Sequence, residues 1–393
     1  MHTYFEFQTP PRLLSGAFAL ENIAHELTLL GASKPLLISD GGLQKIGATG
    51  LCERALRETG MPPLEVWTDV PPDSSVALVN RIAARYRQLG CDSVVAVGGG
   101  SVLDTAKGVC MVIAQGAQDL MALMGCEVLP RGERVPFIAV PTTAGTGSEA
   151  TAVAVVRDDE RSVKMEFISG HLLPDAAVLD PRMTRTLPPR ITASTGMDAL
   201  CHAVEAFSCL QHNPVSDAYA QGAIALIVRS LLPAASGKGG DGARMEMACA
   251  AMMAGAAFSN SMVGLVHAIG HALGGVCRVP HGDAMAILLP HCMRFNLGVC
   301  RERYEALLLP LTDPDTFVKT PGEIRAEAAI ARIESLLEEL GGLCGLPVRL
   351  RDTKAKEQDF ARVADAAVND GAMIVNPREA TREEVAGILQ AAW

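Results

Sequence analysis

The chain has 393 residues, 49% of them hydrophobic and 4% aromatic, and its formal net charge is −10. This length predicts two or three domains, or one large core with a companion, and the apolar fraction is ample for a buried core. The acidic balance, without a long basic run, disfavours nucleic acid or an anionic membrane as a partner.

Cysteine usage and the N-terminal sequence bear on location. Eleven cysteines occur without a CxxC motif, which predicts reduced thiols in a cytoplasmic protein and no disulfide framework. Residues 1–14 lack the basic stretch followed by an apolar stretch that is typical of a signal peptide. No uninterrupted apolar run reaches about 18 residues, so the sequence predicts no membrane span.

Strands and helices alternate in the first half of the chain, which indicates an α/β domain. We predict single strands at 4–7, 36–40, 64–67, 93–97, 136–140 and 176–179, and a strand pair at 151–157 and 162–168. We predict the intervening helices at 16–30, 44–59, 76–89 and 102–112.

Two glycine-containing loops follow predicted buried strands. The first is Gly98-Gly99-Gly100-Ser101, directly before a predicted helix, and the second is the segment PTTAGTGSE at 141–149. Strand, glycine loop and helix form a typical phosphate site, because backbone N–H groups approach the anion at a helix N-terminus. Plain tight turns remain the alternative for each loop, but two loops at strand ends favour a ligand there.

The second half is predicted to be all helical. Pro181, Pro188 and Pro189 mark a boundary, and we interpret 1–187 as an α/β domain and 188–393 as a helical domain. Predicted helices cover 196–209, 214–232, 243–260, 263–273, 283–296, 322–340 and 381–392.

Candidate metal ligands lie in this helical half. Asp198 and His202 are four residues apart, as are His267 and His271, and His281 follows a predicted chain reversal at 274–275. Residues four apart share one helix face. One carboxylate oxygen and three imidazole nitrogens would suit a divalent transition metal, with a position left for water or substrate. Core histidines and simple helix-stabilising contacts remain the alternative at this point.

Six segments in order carry a resemblance that runs nearly end to end. They are VGGGSVLDTAKG at 97–108, PTTAGTGSEAT at 141–151, GMDALCHAVEAF at 196–207, NPVSDAYA at 213–220, GLVHAIGHALGG at 264–275 and VPHGDAMAILLPH at 279–291. Together they resemble the iron-containing (group III) alcohol dehydrogenase family, relatives of lactaldehyde reductase and 1,3-propanediol dehydrogenase. The resemblance implies a dehydroquinate synthase-like fold, in which an α/β dinucleotide-binding domain precedes an all-α metal-binding domain.

The resemblance also implies roles for individual residues. Asp198, His202, His267 and His281 match the family's metal ligands, with Fe²⁺ expected first and Zn²⁺ second. His271 matches a further histidine beside the substrate, a candidate proton relay, so His267 and His271 are the predicted catalytic residues. Phe258 and Val263 match apolar pocket positions.

Cofactor residues follow in the same way. Asp40 matches the carboxylate that meets the adenosine ribose, which favours NAD because this charge would repel the 2′-phosphate of NADP. The remaining matched cofactor positions are Gly98, Gly99, Gly100, Ser101, Thr142, Thr143, Thr151, Val153 and Lys164. The turn Pro71-Pro72-Asp73 departs from the family, whose members often carry an asparagine there.

The implied activity is hydride transfer between NAD(H) and a small primary alcohol or aldehyde, in a cytoplasmic homodimer or larger homo-oligomer. Alternatives are a glycerol dehydrogenase-like or other enzyme of the same fold, a metal-dependent hydrolase, and a non-catalytic nucleotide-binding protein. The one-aspartate, three-histidine pattern argues against the first. A hydrolase needs no dinucleotide loops, and an intact ligand set argues against a non-catalytic protein.

Overall fold

The computed structural model describes residues 4–9, 11–124, 129, 132–158 and 163–393. They divide into two compact units, Gln8–Thr186 and Leu187–Trp393, the second of which also includes the N-terminal segment that ends at Phe7. The first unit is α/β and the second is helical, which is the predicted fold class.

A six-stranded sheet is the centre of the α/β unit. Its strands are β1 (Arg12–Ser15), β2 (Pro35–Ile38), β3 (Glu65–Trp67), β4 (Ser93–Gly98), β5 (Phe137–Pro141) and β8 (Ala176–Leu179). They lie in the order β1-β8-β5-β4-β2-β3, and every pairing of these strands is parallel. A separate antiparallel pair is formed by β6 (Val153–Asp158) and β7 (Val163–Ile168). The helices of this unit are α1 (Ile23–Leu29), α2 (Gly41–Lys45), α3 (Ala48–Glu58), α4 (Val76–Leu89) and α5 (Gly100–Ala114).

Both faces of the sheet are buried. Along β4, Val94 and Ala96 belong to one hydrophobic cluster, whereas Val95 and Val97 belong to another. Successive side chains of a strand point to opposite faces of the sheet. A strand buried on both faces is therefore apolar at nearly every position, and this pattern in the sequence is what predicts β4.

The helical unit contains nine α-helices among the described residues. They are α6 (Pro189–Ser208), α7 (Pro214–Ser236), α8 (Gly240–Ser259), α9 (Leu265–Cys277), α10 (His281–Leu311), α11 (Pro314–Lys319), α12 (Arg325–Cys344), α13 (Phe360–Ala367) and α14 (Arg382–Ala391).

Helix α7 is long and apolar enough to cross a membrane by length and composition alone. Its Ile224, Ile227 and Leu231 are fully buried. A Cβ on Gly196 of α6 would lie 2.2 Å from Leu231 Cδ1, so α6 and α7 pack closely. A core helix passes the same test, which leaves α7 as weak evidence for a span.

Several sequence predictions were wrong in detail. Residues 4–9 form no regular secondary structure, and the first strand is Arg12–Ser15. The predicted helix 44–59 is two helices, separated at Gly47, which has a φ of 82°. The predicted reversal at 274–275 lies inside α9, and the chain turns instead at Arg278, where φ is 56°.

Candidate functional site

Helix α6 presents three acidic or imidazole side chains on one face. Asp198, His202 and Glu205 are spaced i, i+4 and i+7, and all three are buried. This spacing covers two helical turns, so the side chains stand one above another.

Helices α9 and α10 bring further histidines to Asp198. His267 Nε2 lies 3.9 Å and His281 Nε2 lies 3.3 Å from Asp198 Oδ1, and His202 Nε2 is 4.0 Å from the same oxygen. The ligand atoms of Asp198, His267 and His281 all lie within 4.8 Å of one another. Three imidazole nitrogens therefore surround one carboxylate oxygen, although His202 is outside the tightest group.

The start of α10 is held against α6, which places His281. Asp283 accepts hydrogen bonds from Arg190 Nη2 at 2.7 Å and from Ser194 Oγ at 2.9 Å. A Cβ on Gly282 would lie 2.5 Å from the carbonyl oxygen of Ser194, so the glycine permits this close approach. His281, the first residue of α10, is thereby fixed beside Asp198.

The donor atoms of this cluster fit a divalent metal ion. Asp198 Oδ1 and His267 Nε2 are buried without a hydrogen-bond partner, and a buried unpaired polar group costs about 1–3 kcal/mol. A cation at this point would compensate both atoms. His202 Nδ1 is also buried without a hydrogen-bond partner. This atom lies on the far side of the ring from Nε2, so a metal bound at Nε2 would not give it a partner.

The electrostatics favour the metal-binding protonation states. Burial lowers the pKa of His202 to about 3 and that of His267 well below its ordinary value. Burial opposes ionisation of Asp198, but His202 and His281 hold its pKa below the ordinary value. Neutral imidazoles and an ionised carboxylate are the forms that bind a metal.

Glu205 is a residue of the site that the sequence reasoning missed. His267 Nδ1 is hydrogen-bonded to Glu205 Oε2, and Glu205 Oε1 accepts a hydrogen bond from Val266 N at 2.7 Å. Burial raises the pKa of Glu205 to about 7. A carboxylate behind a histidine orients the ring and leaves Nε2 for a metal. The i+7 spacing from Asp198 could have revealed it.

His271 and His281 form the more exposed end of the cluster, with side chains 34% and 42% exposed. The ring centroid of His271 is 5.6 Å from that of His281 and 5.8 Å from that of His267. Its Nδ1 is 3.0 Å from Asp370 Oδ2, a partner that the sequence reasoning also missed. Phe258 stacks on His202, with ring centroids 4.4 Å apart, and gives the cluster an apolar wall.

In the α/β unit the two predicted loops lie together. Thr142 N donates to Gly98 O at 3.0 Å. A Cβ on Gly99 would lie 3.4 Å from Thr143 Oγ1, and one on Gly98 would lie 2.4 Å from Val102 Cβ. The glycine turn thus places its backbone close to the N-terminus of α5. The N-cap of this helix is Gly99, which has no side chain to accept a hydrogen bond from the first N–H groups of the helix.

Three other predicted cofactor residues have partners within the protein. The Thr151 hydroxyl and the Val153 carbonyl each accept a hydrogen bond from Lys107 Nζ at 2.8 Å. Lys107 is fully buried, and burial lowers its pKa to about 8. Lys164 Nζ lies 2.5 Å from Asp73 Oδ1 on the exposed surface.

Asp40 and Ser101 complete the set of predicted cofactor residues. Asp40 Oδ1 caps α2 by accepting from Gly42 N at 2.8 Å and Leu43 N at 2.9 Å. Ser101 Oγ accepts from Asp73 N at 3.3 Å, so the divergent turn 71–73 lies against the glycine loop.

Comparison with known proteins gives a consistent family assignment for both halves of the chain. The sequence model described as iron-containing alcohol dehydrogenase matches residues 10–181, and the model described as Fe-containing alcohol dehydrogenase family, C-terminal, matches residues 192–393.

Individual relatives cover almost the whole chain. The 1,3-propanediol dehydrogenase of Klebsiella pneumoniae is 38% identical, with 99% of each chain covered. The NAD-dependent methanol dehydrogenase of Bacillus methanolicus is 35% identical, with 98% of each covered. A solved structure of 1,3-propanediol oxidoreductase superposes with a TM-score of 0.93 at 38% identity, covering 99% of this chain and 100% of that one.

Proposed function

We propose that this chain, which belongs to the iron-containing alcohol dehydrogenase family and is an oxidoreductase, transfers a hydride between NAD(H) and a small primary alcohol or aldehyde. The observation that carries the proposal is the cluster in which the imidazole nitrogens of buried His202, buried His267 and exposed His281 surround Asp198 Oδ1. A cation would compensate the buried Asp198 Oδ1 and His267 Nε2, which have no hydrogen-bond partner, and a metal centre there could act on an alcohol oxygen.

Asp198, His202, His267 and His281 would hold the metal. When bound, a divalent metal supplies Lewis acidity toward the substrate oxygen, and NAD⁺ supplies a hydride acceptor. As a carboxylate, Glu205 would keep the proton of His267 on Nδ1, which leaves Nε2, 3.9 Å from Asp198 Oδ1, as the metal-binding atom. Burial of Asp198 and His267 excludes water from these protein atoms and strengthens their electrostatic effect.

His271 is the proposed proton relay. Oxidation of a primary alcohol removes a hydride from carbon and a proton from oxygen, and the proton needs an acceptor. His271 lies one turn beyond His267 on α9, and its side chain is 34% exposed. It can therefore take a proton on the substrate side and exchange it with solvent.

The α/β unit would bind the dinucleotide. The backbone at Gly98, Gly99 and Gly100 and the N-terminus of α5 suit a pyrophosphate. Asp40 places a carboxylate after β2, which suits ribose hydroxyls and opposes a 2′-phosphate. The Bacillus methanolicus relative is an NAD-dependent methanol dehydrogenase, which supports the same cofactor choice.

The test is oxidation of NADH by protein that has been stripped of metal and then given Fe²⁺ or Zn²⁺. Short aldehydes, including lactaldehyde and 3-hydroxypropanal, serve as substrates, with NADPH in parallel. We expect activity to return with one metal and to prefer NADH. His267→Ala should stay inactive, whereas His25→Ala, a change at an exposed histidine in the α/β unit, should respond as wild type. Full activity in metal-free protein would refute the proposal.

We further propose a cytoplasmic homo-oligomer. The ten cysteines of the described residues are all free thiols, as suits a reducing compartment. Strand β1 is an edge of the sheet and exposes Leu13, and an edge strand is a natural place for pairing between chains. Sedimentation equilibrium tests the assembly, and a monomer at micromolar concentration would refute it.

A further inference from the structure

Helix α9 carries two histidines one turn apart, and the Nδ1 atom of each faces a carboxylate from another element. His267 faces Glu205 of α6, and His271 faces Asp370, which precedes a short 3-10 helix, Gly371–Val375. The proposed function gives the first carboxylate a role in orienting a metal ligand. It gives Asp370 none.

The carboxylate of Asp370 is fixed at both oxygens. Oδ1 accepts a hydrogen bond from Ala372 N at 2.9 Å, and Oδ2 lies 3.0 Å from His271 Nδ1. The side chain is 19% exposed, so the contact is partly shielded from water. Capping of the short 3-10 helix uses only Oδ1 of Asp370, so Oδ2 remains for the contact with His271.

The segment that follows Asp370 is anchored to α9 as well. Asn376 Oδ1 accepts a hydrogen bond from Leu265 N, at the first turn of α9, at 3.2 Å. Asn376 also exchanges side-chain hydrogen bonds with Asn296 of α10. Asp370 is therefore held in register with His271 by contacts that do not involve the pair itself.

An ionised carboxylate only accepts hydrogen bonds, so its contact requires the His271 proton on Nδ1. In neutral imidazole this makes Nε2 the ring's proton acceptor. We propose that Asp370 is a positioning residue that holds His271 in this tautomer and orientation, so that Nε2 takes the alcohol proton. The inference rests on the proposed function.

The proton balance of the step is simple. The alcohol O–H bond breaks and an N–H bond forms at His271 Nε2, while the C–H electron pair leaves carbon as hydride to NAD⁺. The resulting imidazolium carries one proton on each nitrogen, and the positive charge faces the Asp370 carboxylate. The Nε2 proton then passes to solvent, which restores the starting tautomer.

Asp370→Asn is the first variant to test. The asparagine oxygen can keep the hydrogen bond from Ala372 N, and its NH₂ group then faces Nδ1. Nδ1 must accept that hydrogen bond, so Nε2 carries the proton and can no longer accept one. We expect kcat for alcohol oxidation to fall about 100-fold, within the range for general base catalysis, with metal content and the KM for NAD⁺ unchanged.

Asp313→Asn is the matched control. Asp313 caps α11 through Thr316 N at 3.0 Å in the same unit, and among the described contacts it faces no histidine. We expect wild-type kinetics from it. Equal losses in the two variants would indicate a general cost of altering caps and would overturn the inference.

A double-mutant cycle tests whether Asp370 affects hydride transfer through His271 or independently of it. We expect Asp370→Asn to lower single-turnover hydride transfer about 100-fold in the presence of His271, but less than about 2-fold in a His271→Ala background. An equal factor in both backgrounds would overturn the inference.

The tautomer itself is measurable without turnover. Nitrogen NMR of metal-free protein labelled with ¹⁵N-histidine distinguishes protonated from unprotonated ring nitrogens, and His271→Ala identifies the signals. We expect the proton on Nδ1 in wild type and on Nε2 in Asp370→Asn. A wild-type proton on Nε2 would overturn the inference. Wild-type protein that has this tautomer but turns over no aldehyde would instead refute the proposed function.

Discussion

The glycine loop of the α/β unit and the histidine cluster of the helical unit present different parts of the chain to their proposed ligands. In the loop, Gly98 and Gly99 bring backbone to the N-terminus of α5, and an added Cβ would lie as close as 2.4 Å to a neighbouring side chain. In the cluster, Asp198, His202 and His267 present side-chain atoms from buried helices. Added side-chain atoms should therefore weaken ligand binding at the loop, whereas removed side-chain atoms should weaken metal binding at the cluster.

Removal of a donor from the cluster should have the largest effect. In His267→Ala or Asp198→Asn we expect metal content to fall from about one ion per chain to background. The loss should exceed the roughly 10- to 100-fold expected for an outer hydrogen-bond partner. Elemental analysis after dialysis checks this, with His25→Ala as the control. Retention of stoichiometric metal by both variants would show that these atoms are not ligands.

Glu205→Gln tests the partner behind a donor. The amide keeps the size of the side chain but removes the charge that faces His267 Nδ1, so we expect metal affinity to fall about 10- to 100-fold. Competition with a chelator measures it. Glu26→Gln changes another buried glutamate, in the α/β unit, and should leave affinity unchanged. The same affinity in Glu205→Gln as in wild type would contradict the assigned role.

Gly98→Ala tests the loop by adding one methyl group. Its Cβ would lie 2.4 Å from Val102 Cβ, so the loop must shift, and overpacking of this kind costs about 1–3 kcal/mol. We expect weaker NADH binding, measured by fluorescence titration, with normal metal content. Gly50→Ala is the control, because its Cβ would meet only Arg54 Nη1 at 3.8 Å. Unchanged NADH affinity in Gly98→Ala would exclude the loop as the pyrophosphate site.

Asp40→Ser should give the smallest effect. Serine is also a good N-cap, so α2 should keep its cap while the charge is lost. We expect the ratio of NADPH to NADH activity to rise about 10-fold, since relief of a like-charge contact is worth at least about 1.4 kcal/mol. Asp313→Ser controls for capping. An unchanged ratio would show that Asp40 does not select the cofactor.

Much of the fold could be predicted because local signals agreed with packing. The predicted bounds of α4 match the structure, where Ser75 caps the first turn and Gly90, with a φ of 67°, ends the helix. The predicted strand 176–179 also matches β8. The bounds of other elements depend on tertiary contacts that local sequence patterns do not reveal. Helix α10 continues past the predicted end at residue 296 and contains Pro290 and Pro310.

The candidate site was partly visible in the sequence. The i, i+4 spacing indicated Asp198 and His202 on α6. His281 was a candidate because a chain reversal is predicted before it, but the chain turns at Arg278 and not at 274–275. Glu205 could have been found from its helical spacing. Asp370 could not, because it lies 99 residues after His271 and only tertiary packing brings the two together.

The most direct test of the central claim is anomalous X-ray diffraction from crystals of iron-loaded protein, recorded on both sides of the iron absorption edge. We expect one peak per chain at about 2.0–2.2 Å from Asp198 Oδ1 and from the Nε2 atoms of His202, His267 and His281. A peak bound by other residues, or no peak in protein that is fully active, would contradict the account.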